Sequence, residues 1–470
     1  MREDDHEDDT PLIDAARHGR LTDVEALLSG DADVNEPKTD GSGATALHLA
    51  ANEGHAEVVS ALLASGATVD SHWIHPEDPS SRTMTPLFMA SQEGHVKVVA
   101  TLLAAGACVH GAEACDATPL HAASQERHVE VVAALLAAGA HADVAQGIGN
   151  EATPLFVAAQ GGHVEILAAL LNAGAHVDGA KRSDGATPLW FASHNGHAKA
   201  VSALLAAGAE VDPIAQGPED DDTAATPLFA ASSGGHVDVV SMLVNAGATI
   251  DWSTRNERWT SLMVASQESH VKVLTVLLEA GAAVNQTEID GHTAMTVACA
   301  VGDLTCVKLL SSYGATRTFH AAPDQHFTAE EMATDSDHEA LATWLVESRH
   351  WSTPLHHLRI IGATRARELL RGGADLHAAA AAGGPTPLSL TQALHAVGNA
   401  AEGSAASLVL AAAEPWGPRT HSLFPAAART FAAELLLIGH QLSRQPRFAG
   451  EEISLVDVWT VLVMPSAVVR

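Results

Sequence analysis

The stretch ATPLHAASQERHVEVVAALLAAG at residues 117–139 predicts two short helices joined by a tight turn. Thr118 can cap the first helix, and Pro119 suits its first position, where the missing N–H costs no hydrogen bond. The segment that begins at Val129 carries apolar residues at helical spacing, and Gly139 can end it in the left-handed conformation. One helix pair cannot bury its apolar face alone, so the stretch predicts a stack of similar pairs.

The same pattern returns along most of the chain at intervals of 33 to 40 residues. Its starts are Thr10, Thr45, Thr85, Thr118, Thr153, Thr187, Thr226, Thr260 and Thr293. The pattern resembles the ankyrin repeat, whose period is about 33 residues and whose signature is T-P-L-H-x-A. The resemblance implies an all-α repeat solenoid, a helix–turn–helix stack with β-hairpin fingers. Two apolar-periodic segments near the end of the chain predict a helical C-terminal cap on this stack.

The pattern also predicts how the chain divides. We expect an acidic tail at residues 1–9, an ankyrin array at 10–348 with about nine clear repeats and one degenerate copy, degenerate ankyrin-like repeats at 349–416, and the cap at 417–470. Thr353 begins a new Thr-Pro-Leu-His motif too soon after the preceding helix to leave room for a finger. This spacing predicts a break in the stack near residue 350.

Charge changes at the same boundary. Residues 1–348 hold 15 basic and 49 acidic residues, whereas the rest of the chain holds 10 and 8. The formal net charge of −32 argues against nucleic acid and against anionic membrane surfaces as partners, because both would be repelled. It favours a basic protein partner instead.

The four cysteines and the hydropathy favour an intracellular protein. No two cysteines form a C-x-x-C pair, and so few in so long a chain indicate reduced thiols. No apolar run reaches the length of about 18–20 residues that a membrane helix needs. We therefore expect a monomer in the cytoplasm, with the nucleus as the alternative compartment.

No pattern in the chain predicts catalysis, a metal site or a cofactor. There is no phosphate-binding loop, no H-E-x-x-H zinc motif and no G-x-S-x-G nucleophile elbow. Ten of the 28 histidines fall at two fixed positions of the repeat, which favours a structural role for them. The His194–His197 spacing belongs to the same frame, so it does not predict zinc. We expect no enzyme activity, no catalytic residue, no metal and no cofactor.

The best binding candidates lie between the repeats. Trp and Arg are enriched at binding hot spots, and finger tips offer little core to bury an indole ring. The alternative is that each ring folds back onto a neighbouring finger. The candidate partner-binding residues are Trp73 and Ile74 in the extended finger 70–84, Lys181 and Arg182 in an acidic surrounding, and Trp252, Arg255, Arg258 and Trp259 around a later finger.

The ankyrin resemblance implies a non-enzymatic scaffold that binds proteins across its finger tips and first-helix faces. The field of the acidic array would attract a basic partner and make its binding depend on salt. The alternative is a substrate-binding adaptor of a ubiquitin ligase, in which the C-terminal region is the docking box. No SOCS-type or F-box pattern is evident in that region, and a simple cap explains its apolar segments.

Overall fold

The computed structural model describes residues 9–74, 83–110, 118–144, 152–179, 186–214, 225–255, 257–322, 325–349, 351, 353–378, 385–413 and 421–423. The chain forms two compact units, Met1–Asn256 and Glu257–Arg470. The predicted helical cap at 417–470 lies outside the described residues except for 421–423.

Helix pairs make up the first unit. The first helix of each pair has seven residues and the second has nine. The first helices are α1 Pro11–Arg17, α3 Ala46–Asn52, α5 Pro86–Gln92, α7 Pro119–Gln125, α9 Pro154–Gln160, α11 Pro188–His194 and α13 Pro227–Ser233. The second helices are α2 Leu21–Ser29, α4 Ala56–Ala64, α6 Val96–Ala104, α8 Val129–Ala137, α10 Val164–Asn172, α12 Ala198–Ala206 and α14 Val237–Asn245. Strands β1 Trp73–Ile74 and β2 Thr83–Met84 pair antiparallel, with Trp73 opposite Met84.

The second unit continues the helix pairs and adds a longer hairpin. Its helices are α15 Ser261–Gln267, α16 Val271–Glu279, α17 Ala294–Val301, α18 Leu304–Ser312, α19 Ala329–Asp335, α20 Glu339–Ser348, α21 Ala363–Arg371, α22 Pro387–Ala396 and α23 Ala405–Ala413. Strands β3 Thr318–Ala322 and β4 Gln325–Thr328 pair antiparallel ahead of α19. Short 3-10 helices span Pro354–His357 and His421–Leu423.

Each first helix begins as the sequence predicts. In α7 the Thr118 hydroxyl accepts a hydrogen bond from the backbone N–H of His121, and Pro119 occupies the first turn. The His121 ring completes the cap, because its Nδ1 accepts from the Thr118 backbone N–H at 3.4 Å. Its Nε2 donates to the carbonyl of Ala152 in the next repeat at 2.7 Å. The structural role predicted for this histidine is confirmed.

Small and large apolar residues alternate in the core. Two residues after the Thr start lies a buried leucine, such as Leu120 and Leu155, in every repeat but the one that begins at Thr293, which has Met295. Five residues after the start lies a buried alanine, such as Ala123 and Ala158. The alanines let neighbouring first helices approach closely, while the leucines fill the space between each pair of helices. This arrangement explains the Ala-rich, aromatic-poor composition.

A histidine at the start of each second helix connects one repeat to the preceding one. In seven of the described repeats its Nε2–H donates to a backbone carbonyl near the end of the preceding first helix, at 2.8 to 3.3 Å. The donors are His55, His95, His128, His163, His197, His236 and His338. We call this set the histidine ladder. It satisfies carbonyls that a helix end leaves without an intrahelical partner.

A glycine of the preceding repeat makes room for most rings of the histidine ladder. A Cβ placed on Gly54 would lie 2.6 Å from the His95 ring, and Gly54 itself has φ +82°. Glycine is therefore required at position 54 for two reasons, the left-handed backbone conformation and the close approach of the His95 ring. At one junction the position is Arg127, with φ +65°, and there the hydrogen bond of His163 is the longest of the ladder at 3.3 Å.

A second set of hydrogen bonds joins the bases of successive fingers. The Asn35 side chain accepts from the Thr68 backbone N–H at 2.8 Å, and the Asp70 carboxylate accepts from Cys108 N–H at 3.0 Å. Asp143, Asp178 and Asn285 make equivalent contacts. The Val-Asp/Asn part of the repeat pattern therefore aligns neighbouring fingers.

The repeat-like segment at Thr353 departs from the others. Its first helix is a 3-10 helix of four residues, because His357 and Leu358 replace the two small residues that allow close packing elsewhere. Both side chains are buried. The following helices α21 to α23 share a hydrophobic cluster that includes Leu370 and Val409, and Leu423 of the tail lies in the same cluster.

Candidate protein-binding groove

A groove in the second unit collects apolar side chains from several elements. It has a volume of about 570 Å³ and is lined by the finger residues Glu257, Trp259, Glu288, Ile289, Asp290 and His292, by Gln267 of α15, by Thr296, Val297, Ala300 and Val301 of α17, and by Met332 of α19. First helices and the fingers beside them thus form one surface. The ankyrin resemblance implies protein binding on a surface of this kind.

A tight turn holds Ile289 at the edge of the groove. Glu288 is buried, and its carboxylate accepts hydrogen bonds from the backbone N–H groups of Asp290 at 2.9 Å and His292 at 2.8 Å. The Ile289 N–H donates to the carbonyl of Glu257 at 3.0 Å, which joins the two fingers. These hydrogen bonds hold the backbone before and after Ile289, so they fix the position of its side chain at the edge of the groove.

The groove combines exposed apolar surface with negative charge. Ile289 is 63% exposed and Val301 is 43% exposed, while Trp259 is half-buried. Glu257 and Asp290 are exposed at the rim. Among the described residues that line the groove, none is Lys or Arg. An apolar floor with an acidic rim suits an apolar side chain flanked by basic ones.

The structure places the predicted site residues in several surroundings. Trp259 lines the groove, and Arg258 beside it is exposed with φ +61°. Trp252 packs edge-to-face on Phe229 of helix α13 with ring centroids 6.1 Å apart, so this contact is with a first helix and not with a neighbouring finger. Arg255 is exposed.

The remaining predicted residues lie elsewhere. Trp73 is half-buried on β1, and Ile74 follows it on the same strand, opposite Thr83. Lys181 and Arg182 lie outside the described residues. The groove therefore brings one of the eight predicted residues, Trp259, together with residues that the sequence does not predict for binding.

Two of those missed residues carried a signal in the sequence. Val301 stands eight residues after a Thr start, where the other repeats have a polar residue or glycine, such as Glu126 and Glu268. Ile289 is a β-branched apolar residue at a finger turn, in the segment Glu-Ile-Asp-Gly. Comparing the repeats position by position would have found both.

Burial shifts the pKa of several side chains among the described residues. Burial lowers the pKa of His48 and of His121 to about 4, and both rings are fixed in helix caps. Burial raises the pKa of the Cys299 thiol to about 12, so it stays protonated and unreactive. In the described part of the chain, no group of three or more His, Cys, Asp or Glu is arranged to hold a metal ion.

None of the helices in the described ranges combines the length and the apolar character that crossing a bilayer requires.

Comparison with known proteins identifies the repeats. A family model described as ankyrin repeats (3 copies) matches residues 1–72, 71–147, 138–215 and 214–288, which is more than half of the 470 residues. Matching solved structures include the crystal structure of the human ASB11 ankyrin repeat domain. It is 26% identical, with 58% of this chain and 98% of that chain covered and a TM-score of 0.34. No curated protein matches this chain.

Proposed function

Since this chain belongs to the ankyrin repeat family, we propose that it is a protein-interaction scaffold that binds a basic segment of a partner protein. The partner lies across the fingers and first helices of the second unit. An apolar side chain of the partner enters the groove beside Trp259 and Ile289, and flanking Lys or Arg residues face Glu257 and Asp290.

The observation that carries this proposal is the exposure of Ile289 within an apolar, acid-rimmed groove. A side chain of this kind that is 63% exposed leaves apolar area in water, and covering it stabilises a complex by about 25 cal/mol per Å². The turn around Glu288 already orders the backbone, so binding loses little conformational freedom there.

Charge supports the basic character of the partner. The 15 basic and 49 acidic residues of positions 1–348 produce a field that steers a basic segment toward the chain. Such steering raises the association rate and weakens as salt is added, because exposed charges are screened over about 10 Å at 0.1 M ionic strength.

The proposal can be tested with the full chain and a panel of peptides in which one large apolar residue is flanked by Lys and Arg. Matched peptides carry Glu in place of the basic residues. Binding is measured by fluorescence anisotropy at low and high salt for the wild type, for Ile289→Ser and for Val397→Ser. Val397 is a suitable control, because it is 66% exposed and lies outside the groove.

We expect the basic peptides to bind the wild type and Val397→Ser alike, and Ile289→Ser at least about tenfold more weakly, which corresponds to about 1.4 kcal/mol. High salt should weaken the binding further, and the acidic peptides should not bind. Equal affinity for both variants would show that the groove is not the binding surface.

A further inference from the structure

A smaller cavity of opposite charge lies elsewhere in the second unit, where the end of α18 meets the start of the 3-10 helix. It has a volume of about 210 Å³. Its polar lining consists of Ser311, Thr316, Arg317, Arg349, Thr353 and His357, and Trp351 forms an aromatic wall. Among the described residues that line it, none is Asp or Glu. Two arginines thus line one cavity in a chain whose net charge is −32.

The guanidinium of Arg317 is held rigidly at this cavity. Its Nη1 donates to the carbonyl of Leu345 at 2.9 Å, and its Nη2 donates to the hydroxyls of Ser348 at 3.0 Å and Ser311 at 3.2 Å. The guanidinium also lies over the Trp344 ring, 5.4 Å from its centroid. A charge fixed in this way is already oriented for a ligand and needs no rearrangement when the ligand arrives.

One carboxylate lies near this charge but outside the lining. Glu330 approaches Arg317 Nη1 at 3.8 Å, at the long end of an ion pair, with a side chain that is 25% exposed. It offsets part of the Arg317 charge, while Arg349, which is exposed, adds a second positive charge. The cavity therefore keeps a positive character.

A buried donor without a partner also lines the cavity. His357 is 1% exposed, and its Nδ1 has no hydrogen-bond partner among the described residues. Ser311 Oγ accepts from Arg317, so its own hydrogen is free to point to His357 Nε2, which lies 3.4 Å away. We assign the ring the tautomer that follows, with the proton on Nδ1. Burial, Arg317 and His356 lower the pKa of His357 to about 3, so the ring is neutral at physiological pH.

From these observations we propose that the cavity is a binding site for a phosphate group. Arg317 and Arg349 supply the charge, and the Nδ1–H of His357 supplies a neutral donor. Arginine suits this role, because its guanidinium stays charged at every physiological pH. Arg317 acts through this charge, since its terminal nitrogens already donate to Leu345, Ser348 and Ser311. The site is separate from the groove of the proposed function, and neither proposal depends on the other.

The phosphate can be free, or it can be carried by a phosphorylated side chain of a partner. Both sources present the same tetrahedral oxyanion to the cavity. The cavity is open enough for a side chain to enter, since it reaches the exposed Arg349 and the half-exposed Trp351.

The test uses the full chain and isothermal titration calorimetry with inorganic phosphate, at an ionic strength held constant with chloride. Arg349→Gln removes a charge from the cavity at an exposed position and keeps a long polar side chain there. Arg359→Gln removes the same charge from an exposed residue outside the cavity and serves as the matched control. A second arm compares a phosphoserine peptide with its unphosphorylated form.

We expect phosphate to bind the wild type and Arg359→Gln with equal affinity and Arg349→Gln at least about tenfold more weakly, as the loss of a charge-assisted hydrogen bond predicts. A phosphopeptide that binds more tightly than free phosphate identifies the partner as the source, and one that binds no better identifies the free ion. The proposal is overturned if the wild type shows no binding, or if both variants weaken it equally.

Discussion

Replacing Gly54 by alanine should destabilise the repeat stack through the histidine ladder. The new Cβ would lie 2.6 Å from the ring of His95, whose Nε2 donates to the carbonyl of Asn52 at 2.8 Å. The His95 ring is rigid, so its atoms cannot move away from the new Cβ one by one, as the end of a flexible side chain could. The ring must therefore swing out, and the hydrogen bond between the two repeats must break.

The expected loss in the free energy of unfolding of Gly54→Ala is the sum of three contributions. A residue with a Cβ at φ +82° costs about 1–2 kcal/mol in backbone energy. The lost hydrogen bond adds about 0.5–1.5 kcal/mol, and displacing a packed ring adds about 1–3 kcal/mol. We therefore expect Gly54→Ala to lower the free energy of unfolding by about 3 kcal/mol or more.

The chain supplies a matched control at Gly66. That residue has φ +90°, but no atom lies within 4 Å of where its Cβ would be. Gly66→Ala should thus show the backbone cost alone, about 1–2 kcal/mol. In a His95→Ala background, Gly54→Ala should cost no more than Gly66→Ala, since no ring remains to be displaced.

The assay is urea-induced unfolding followed by circular dichroism, with amide hydrogen exchange in α3 to α6 to locate the opened region. The reasoning is refuted if Gly54→Ala and Gly66→Ala lose equal stability, or if the His95→Ala background leaves the cost unchanged. The junction at Arg127 already points to the expected outcome, because the ladder hydrogen bond there is lengthened to 3.3 Å.

Three further predictions concern the pH dependence, the core and the tail. The pKa of His121 is about 4 in the folded protein and about 6.5 in an unfolded chain. The contribution of the neutral ring to stability is therefore complete above pH 6.5, and it falls by up to about 3 kcal/mol as the pH drops toward 4. Urea midpoints at pH 7.5 and 5.0 should differ less for His121→Gln than for the wild type. Ala123→Leu should cost about 1–3 kcal/mol by overpacking a fully buried position, while Ala133→Leu at an exposed position of the same repeat should leave the thermal midpoint unchanged. Because Leu423 is buried against the last helices, deleting residues 417–470 should lower the thermal midpoint of the second unit; an unchanged midpoint would favour a docking box over a cap.

The repeat architecture could be predicted because each structural need is met by one residue type at a fixed place. Thr118 caps a helix, Gly139 ends one with φ +93°, and the ladder histidines recur at the same distance from each start. These are local requirements of the backbone, so they appear in the sequence whatever the neighbouring repeat contains.

The groove could be predicted only in part, because it depends on which side chains from different repeats share one space. The residue type predicts a binding role for Trp259, which does line the groove, and on the same grounds for Trp252, which packs against Phe229. Residue type does not reveal which way a ring turns. The short 3-10 helix at Pro354 was missed for a related reason, since the Thr-Pro-Leu-His motif describes its start but not the bulky His357 that follows.

The uneven rungs of the histidine ladder also bear on how the chain responds to a pulling force. Each rung ties a repeat only to the one before it, so tension applied along the stack passes from junction to junction through a rung, a finger-base hydrogen bond and the packed helices. The junction at Arg127 has the longest rung and a left-handed residue with a Cβ, which makes it the mechanically weakest junction of the ladder in the first unit. Under a pulling force, the repeats on either side of this junction should separate first and pack together again when the force is released. The array would therefore extend in steps, one junction at a time.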